Sequence, residues 1–73
     1  MNQEQEFINK TENTTFLGNV DGYDLYHKES ENKFQIVYNK YGHYYEGSVN
    51  DAKILADNGG HTALVKAYRQ ISN

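Results

Sequence analysis

The 73 residues predict a small α+β domain: an antiparallel sheet of two hairpins, followed by one or two C-terminal helices packed on one face. Three observations predict it. Asp21-Gly22 separates two β-prone runs, "TTFLGNV" and "YDLYHK", and both central positions of a two-residue hairpin turn require positive φ. A second pair of such runs, "FQIVYN" and "HYYEGSV", flanks the turn sequence "KYG". Beyond Ser48 the apolar period lengthens, with Leu64, Tyr68 and Ile71 at i, i+4 and i+7.

Taken in order, residues 1–13, "MNQEQEFINKTEN", hold only Phe7 and Ile8 as apolar residues beyond the first Met. They read as a polar acidic arm ahead of a single ββββαα domain spanning 14–73. In the first hairpin the turn register pairs Val20 with Tyr23, Gly18 with Leu25 and Phe16 with His27 on one face. Leu17 then opposes Tyr26, and Asn19 opposes Asp24, on the other. "KESENK" is a polar connector. In the second hairpin Phe34, Ile36, Tyr38, His43 and Tyr45 share one face, while Gln35, Val37, Tyr44 and Glu46 share the other. Ser48 and Asp51 have the spacing of a helix N-cap, Gly59-Gly60 suits a C-terminal cap, and Thr62 caps the last helix.

These faces predict the core. Phe16, Val20, Tyr23, Leu25, Phe34, Ile36, Tyr38 and Tyr45 form an apolar floor for Leu64, Tyr68 and Ile71. The opposite face of a two-layer domain should be polar. It instead keeps Leu17, Tyr26, Val37 and Tyr44, with Tyr41 near the turn. Two readings stay open: the helix of 51–58 folds over that face, or the patch binds a partner.

Composition narrows the classes of function. A chain of this length is one domain that buries only about 60 % of its unfolded surface. It has no Cys, which excludes disulfides and thiolate metal sites. No run approaches the roughly 20 apolar residues of a membrane span, and the start lacks the basic and apolar regions of a secretory signal. The expectation is a cytoplasmic monomer. His27, His43 and His61 show no metal-ligand spacing, and read instead as strand-edge packing (His27 and His43) and a helix N-terminal turn (His61). There is neither a phosphate loop nor a nucleophile elbow. No enzyme activity, cofactor or metal is therefore expected.

Net charge is −3, unevenly spread. Residues 1–31 hold seven acids and two bases, whereas residues 32–73 hold three acids and five bases. The acidic half favours a basic protein surface and repels phosphate. Arg69 is the sole arginine, so direct base readout has little to work with. Stacking of single-stranded nucleic acid on strand tyrosines is a lesser alternative, because the nearby lysines are mixed with acids.

The stretches "MNQEQEF" and "NVDGYDLYHKESE", with the small size, acidity and strand-rich organisation, resemble the small phage-encoded proteins that redirect host machinery. Abundant Asn and Tyr, no Pro, and lysine in excess of arginine fit the AT-rich coding common in phages. The resemblance implies a transcription regulator that binds host RNA polymerase in the host cytoplasm. The alternative within that class is an inhibitor of a host defence nuclease, of anti-restriction or anti-CRISPR type, which would be expected to carry denser acid. The expected protein-binding residues are Glu4, Glu6, Phe7 and Ile8 of the arm, for steering and anchoring, and Tyr26 and Tyr44 for buried area.

Overall fold

A computed structural model describes residues 14–38 and 40–72. Four antiparallel strands, β1 (Thr14–Val20), β2 (Tyr23–Lys28), β3 (Lys33–Tyr38) and β4 (His43–Ser48), lie in the order β1-β2-β3-β4. Two helices follow, α1 (Val49–Asp57) and α2 (Ala63–Ser72). The expected α+β class is the observed one. The arm of residues 1–13, and with it Glu4, Glu6, Phe7 and Ile8, lies outside the described residues.

Local chemistry sets the boundaries. Asp21 and Gly22 both take positive φ, 54° and 85°, as the tight hairpin requires. Gly22 has a second reason: a Cβ there would sit 3.0 Å from the Tyr38 ring. The connector between β2 and β3 is a 3-10 turn, Glu29–Glu31, closed by Asn32 in the left-handed region. The Asn32 carbonyl accepts from the Val49 N–H at 3.0 Å and so ties this connector to the start of α1. Ser48 Oγ accepts from the Asp51 N–H at 2.9 Å, the expected cap. At the other end Gly60 N–H donates to the Leu55 carbonyl and Gly59 N–H to that of Ala56, with Gly59 at φ 80°. Thr62 Oγ1 accepts from the Val65 N–H at the start of α2.

The second hairpin keeps the expected face assignments, with Tyr38↔His43 and Ile36↔Tyr45 as its register. The first does not. Val20↔Tyr23 and Gly18↔Leu25 hold, but the pairing then shifts, so that Phe16 opposes Tyr26 and Thr15 opposes His27. Leu17 is the extra residue of a β-bulge beside Gly18, whose φ of 127° only glycine adopts without strain. The bulge exchanges two side chains. Leu17 packs against the core, and Phe16, expected there, is 57 % exposed on the opposite face.

The core is Leu25, Phe34 and Ile36 from the sheet and Ala52, Ala63 and Ala67 from the helices. Ala52 joins this cluster, so α1 lies on the same face as α2 and not over Tyr44. Leu64, Tyr68 and Ile71 pack at its margin, while Ala63, Val65 and Ala67 are the buried positions of α2. The helices approach closely because those positions are small. Gly47 completes the fit, since a Cβ there would come within 2.6 Å of Leu64 Cδ1. Tyr45, also expected in the core, is 40 % exposed, because β4 is an edge strand of the described sheet and no further strand flanks it there.

Two stability predictions follow from this packing. Gly47→Ala should destabilise the domain by about 1–3 kcal/mol through overpacking, with a smaller penalty in a Leu64→Ala background. Chemical denaturation of the two single variants and the double variant checks it. Leu17→Ala should cost about 2 kcal/mol and Phe16→Ala less than about 1 kcal/mol, an order that the bulge-free register would reverse.

Candidate docking surfaces

The face away from the helices is a grid of three rows read from the register. They are Phe16–Tyr26–Gln35–Glu46, Asn19–Asp24–Val37–Tyr44 and Thr14–Lys28–Lys33–Ser48. Its centre is closed: Gln35, Val37 and Lys28 are buried, with Lys28 only 2 % exposed. An ammonium so enclosed needs compensating charge. Glu46 supplies it. Its carboxylate accepts from Lys28 Nζ at 3.2 Å, Lys33 Nζ at 3.0 Å and Gln35 Nε2 at 2.8 Å. Glu31 joins as a second acid, 2.9 Å from Lys33 Nζ and 3.7 Å from Lys28 Nζ. Burial alone would raise the Glu46 carboxyl, but the hydrogen bonds from Gln35, Lys33 and Lys28 outweigh it and hold the group at about 2, against an ordinary 4.5.

Tyr26 and Tyr44 both lie on this face, half-buried, on β2 and β4 with Gln35 and Val37 of β3 between them. Phe16 packs on Tyr26 with ring centroids 5.2 Å apart and planes at 52°. Only the bulge brings it there. The face thus carries two expected site tyrosines plus one ring that the plain register places elsewhere, while Leu17 has left it.

The helix-facing side holds a second aromatic group, at the end of the sheet where both hairpins turn. Tyr23 stacks on Tyr38 at 4.6 Å and 22°. Tyr41 meets Tyr38 edge-on at 5.3 Å and lies 6.1 Å from the His43 ring. Lys40 Nζ stands 5.5 Å from the Tyr41 centroid. Tyr45 follows on the same face, opposite Ile36, and burial, then the Tyr23 hydroxyl, pushes its phenol above the ordinary value. Tyr41 is 60 % exposed, and His43 is exposed beside it. α2 reaches the same end through an ion pair between Lys66 and Asp21. The crowding of tyrosines in residues 34–47 is the sequence signal for this rim, although periodicity alone assigns Tyr38 and Tyr45 to the core.

His27 packs its ring on Phe34 at 5.4 Å, in keeping with a packing role. Among the described residues no group of three or more His, Asp or Glu side chains is arranged to hold a metal ion, and no helix is long and apolar enough to cross a membrane. Comparison with family models, with curated proteins and with solved structures gives no match.

The Glu46 network predicts a pH dependence of stability. Its folded value lies below its unfolded one, so the stabilisation is present above about pH 4.5 and is lost as pH falls toward 2. Glu46→Gln should cost about 2 kcal/mol at neutral pH, because the buried Lys28 loses its nearest carboxylate. It should also flatten the loss of stability between pH 4.5 and 2. Urea titrations of both proteins across that range provide the check.

Proposed function

We propose that this chain is a non-enzymatic, protein-binding regulator, of the type that phages direct at host RNA polymerase to alter transcription. The observation that carries the reading is Tyr41. It is a large aromatic, 60 % exposed, steadied by the edge of Tyr38 and by Lys40 at a rim of stacked rings. Rigid exposed tyrosines give large contact area at low entropic cost, and such residues are the usual anchors of protein interfaces. The acidity of residues 1–31 supports a basic partner surface by steering the encounter. Glu4, Glu6, Phe7 and Ile8 belong to that acidic segment, and Tyr26 with Tyr44 forms the competing patch on the other face.

Lys40 beside Tyr41 also favours a second reading, stacking of a single-stranded nucleic acid on the rim. The net charge of −3 weighs against it. Inhibition of a defence nuclease would use the same docking chemistry on a different target protein.

Binding to purified bacterial RNA polymerase, measured by interferometry, is the direct test. Tyr41→Ala should weaken binding more than tenfold, corresponding to about 2 kcal/mol for an interface anchor, with little change in melting temperature. If Tyr26→Ala or Tyr44→Ala weakens binding and Tyr41→Ala does not, the opposite face is the docking site. No polymerase binding, together with oligonucleotide binding at physiological salt that Tyr41→Ala abolishes, would reverse the reading in favour of stacking.

A further inference from the structure

Among the described residues the open sheet has two edges, β1 and β4, and they differ. β1 is interrupted at Leu17 and followed by Gly18 at φ 127°, the kind of twisted, bulged edge that resists further pairing. β4 pairs with β3 over six consecutive residue pairs, from Tyr38↔His43 to Lys33↔Ser48, with no shift. Its own sequence, "HYYEGS", contains no Lys and no Pro, and its one acid, Glu46, is held by Lys28, Lys33 and Gln35 on the back of the sheet. An edge strand without such protection is a template for another strand.

We infer that β4 is the seam of a two-fold homodimer, with β4 of one copy paired antiparallel to β4 of the other. The register can be chosen from side-chain chemistry. Residues opposed across a strand pair share a face, so a two-fold axis passes through a residue position of β4. Centred on Glu46, the pairing would oppose two carboxylates, which is unfavourable. Centred on Tyr44, it would leave Glu46, Gly47 and Ser48 outside the seam, against Ser48 alone when centred on Tyr45. Centred on Tyr45, it opposes the two Tyr45 rings, sets each Tyr44 against the Glu46 of the other copy, and sets each His43 against a Gly47. That last register opposes no like charges.

A second observation points the same way. α1 packs on β3 and β4, yet it exposes Ile54 and Leu55, at 51 % and 39 %. At 100° per residue Ile54 lies opposite the buried Ala52, and Leu55 lies on the flank away from Lys53. Because α1 packs over β3 and β4, its exposed Ile54 and Leu55 stand on the half of the molecule where β4 is the edge. A pairing through β4 brings the α1 helices of both copies to one face and gives Leu55 an apolar neighbour. The bulged β1 edge cannot serve as a second pairing surface, so assembly closes at two instead of propagating. The inference does not depend on the partner reading above.

The absence of cysteine allows a clean test. Opposed Cβ atoms in the closer kind of strand pair are about 4.5 Å apart, within disulfide reach. Under mild oxidation the Tyr45→Cys variant should form a covalent dimer, and Phe16→Cys on the back of β1 should not. By sedimentation equilibrium the unmodified chain should be dimeric at micromolar concentration. Leu55→Glu should weaken association at least tenfold, and Tyr45→Lys should leave a folded monomer by circular dichroism. A monomer at concentrations up to about 1 mM, an open-ended series of oligomers, or equal cross-linking at both cysteine positions would overturn the inference. If Tyr45→Lys fails to fold, the cross-linking comparison decides alone.

Discussion

One carboxylate holds the sheet together. Glu46 stands on β4 and takes its hydrogen bonds from Lys28 on β2 and from Lys33 and Gln35 on β3, so three strands are tied at a single point. A buried ammonium is tolerable only with such a partner, and losing the partner costs more than the pair contributes by itself. The network makes the centre of this face polar and closed. Leu25, Phe34 and Ile36 on the other face then remain as the apolar surface that both helices can cover. The layering of the domain, two helices on one side, follows from that division.

The cover is close but narrow. The helices present Ala52, Ala63, Val65 and Ala67 inward, and Leu64 of α2 settles over Gly47. Larger residues would have spread the second layer farther over the tyrosines. Instead the aromatic rows run past the helices to the hairpin turns, where Tyr38 bridges the stacked Tyr23 and the outward Tyr41. In a domain with little stability to spare, rings left at a rim still contribute by stacking on each other while offering area to a partner. The same narrowness leaves Tyr45 and the outer flank of α1 uncovered along the β4 edge.

The two faces suit different tasks. The polar face is knit by ion pairs that lose strength only in strong acid, and it is a framework. The rim on the helix side depends on ring contacts and solvent exposure, and it is where recognition is proposed. Phe16 and Tyr26 add an aromatic pair to the framework face, so a partner reaching around β4 would meet Tyr44 as well as Tyr45.

Much of this was determined by the sequence alone, because it rests on local rules. The Asp21-Gly22 turn, the second hairpin with its face assignments, the Ser48 and Thr62 caps and the Gly59-Gly60 stop each depend on a few adjacent residues. Three matters were decided only by tertiary structure. The bulge at Leu17 exchanged Leu17 and Phe16 between faces, since which of two adjacent apolar residues turns inward depends on the packing available to each. The charge network brought Glu46 of β4 to Lys28, Lys33 and Gln35, a proximity that exists only once β2, β3 and β4 are paired. The reach of the helices left Tyr41 and Tyr45 exposed, because period-two alternation states which face a side chain occupies, and only the second layer determines whether that face is covered.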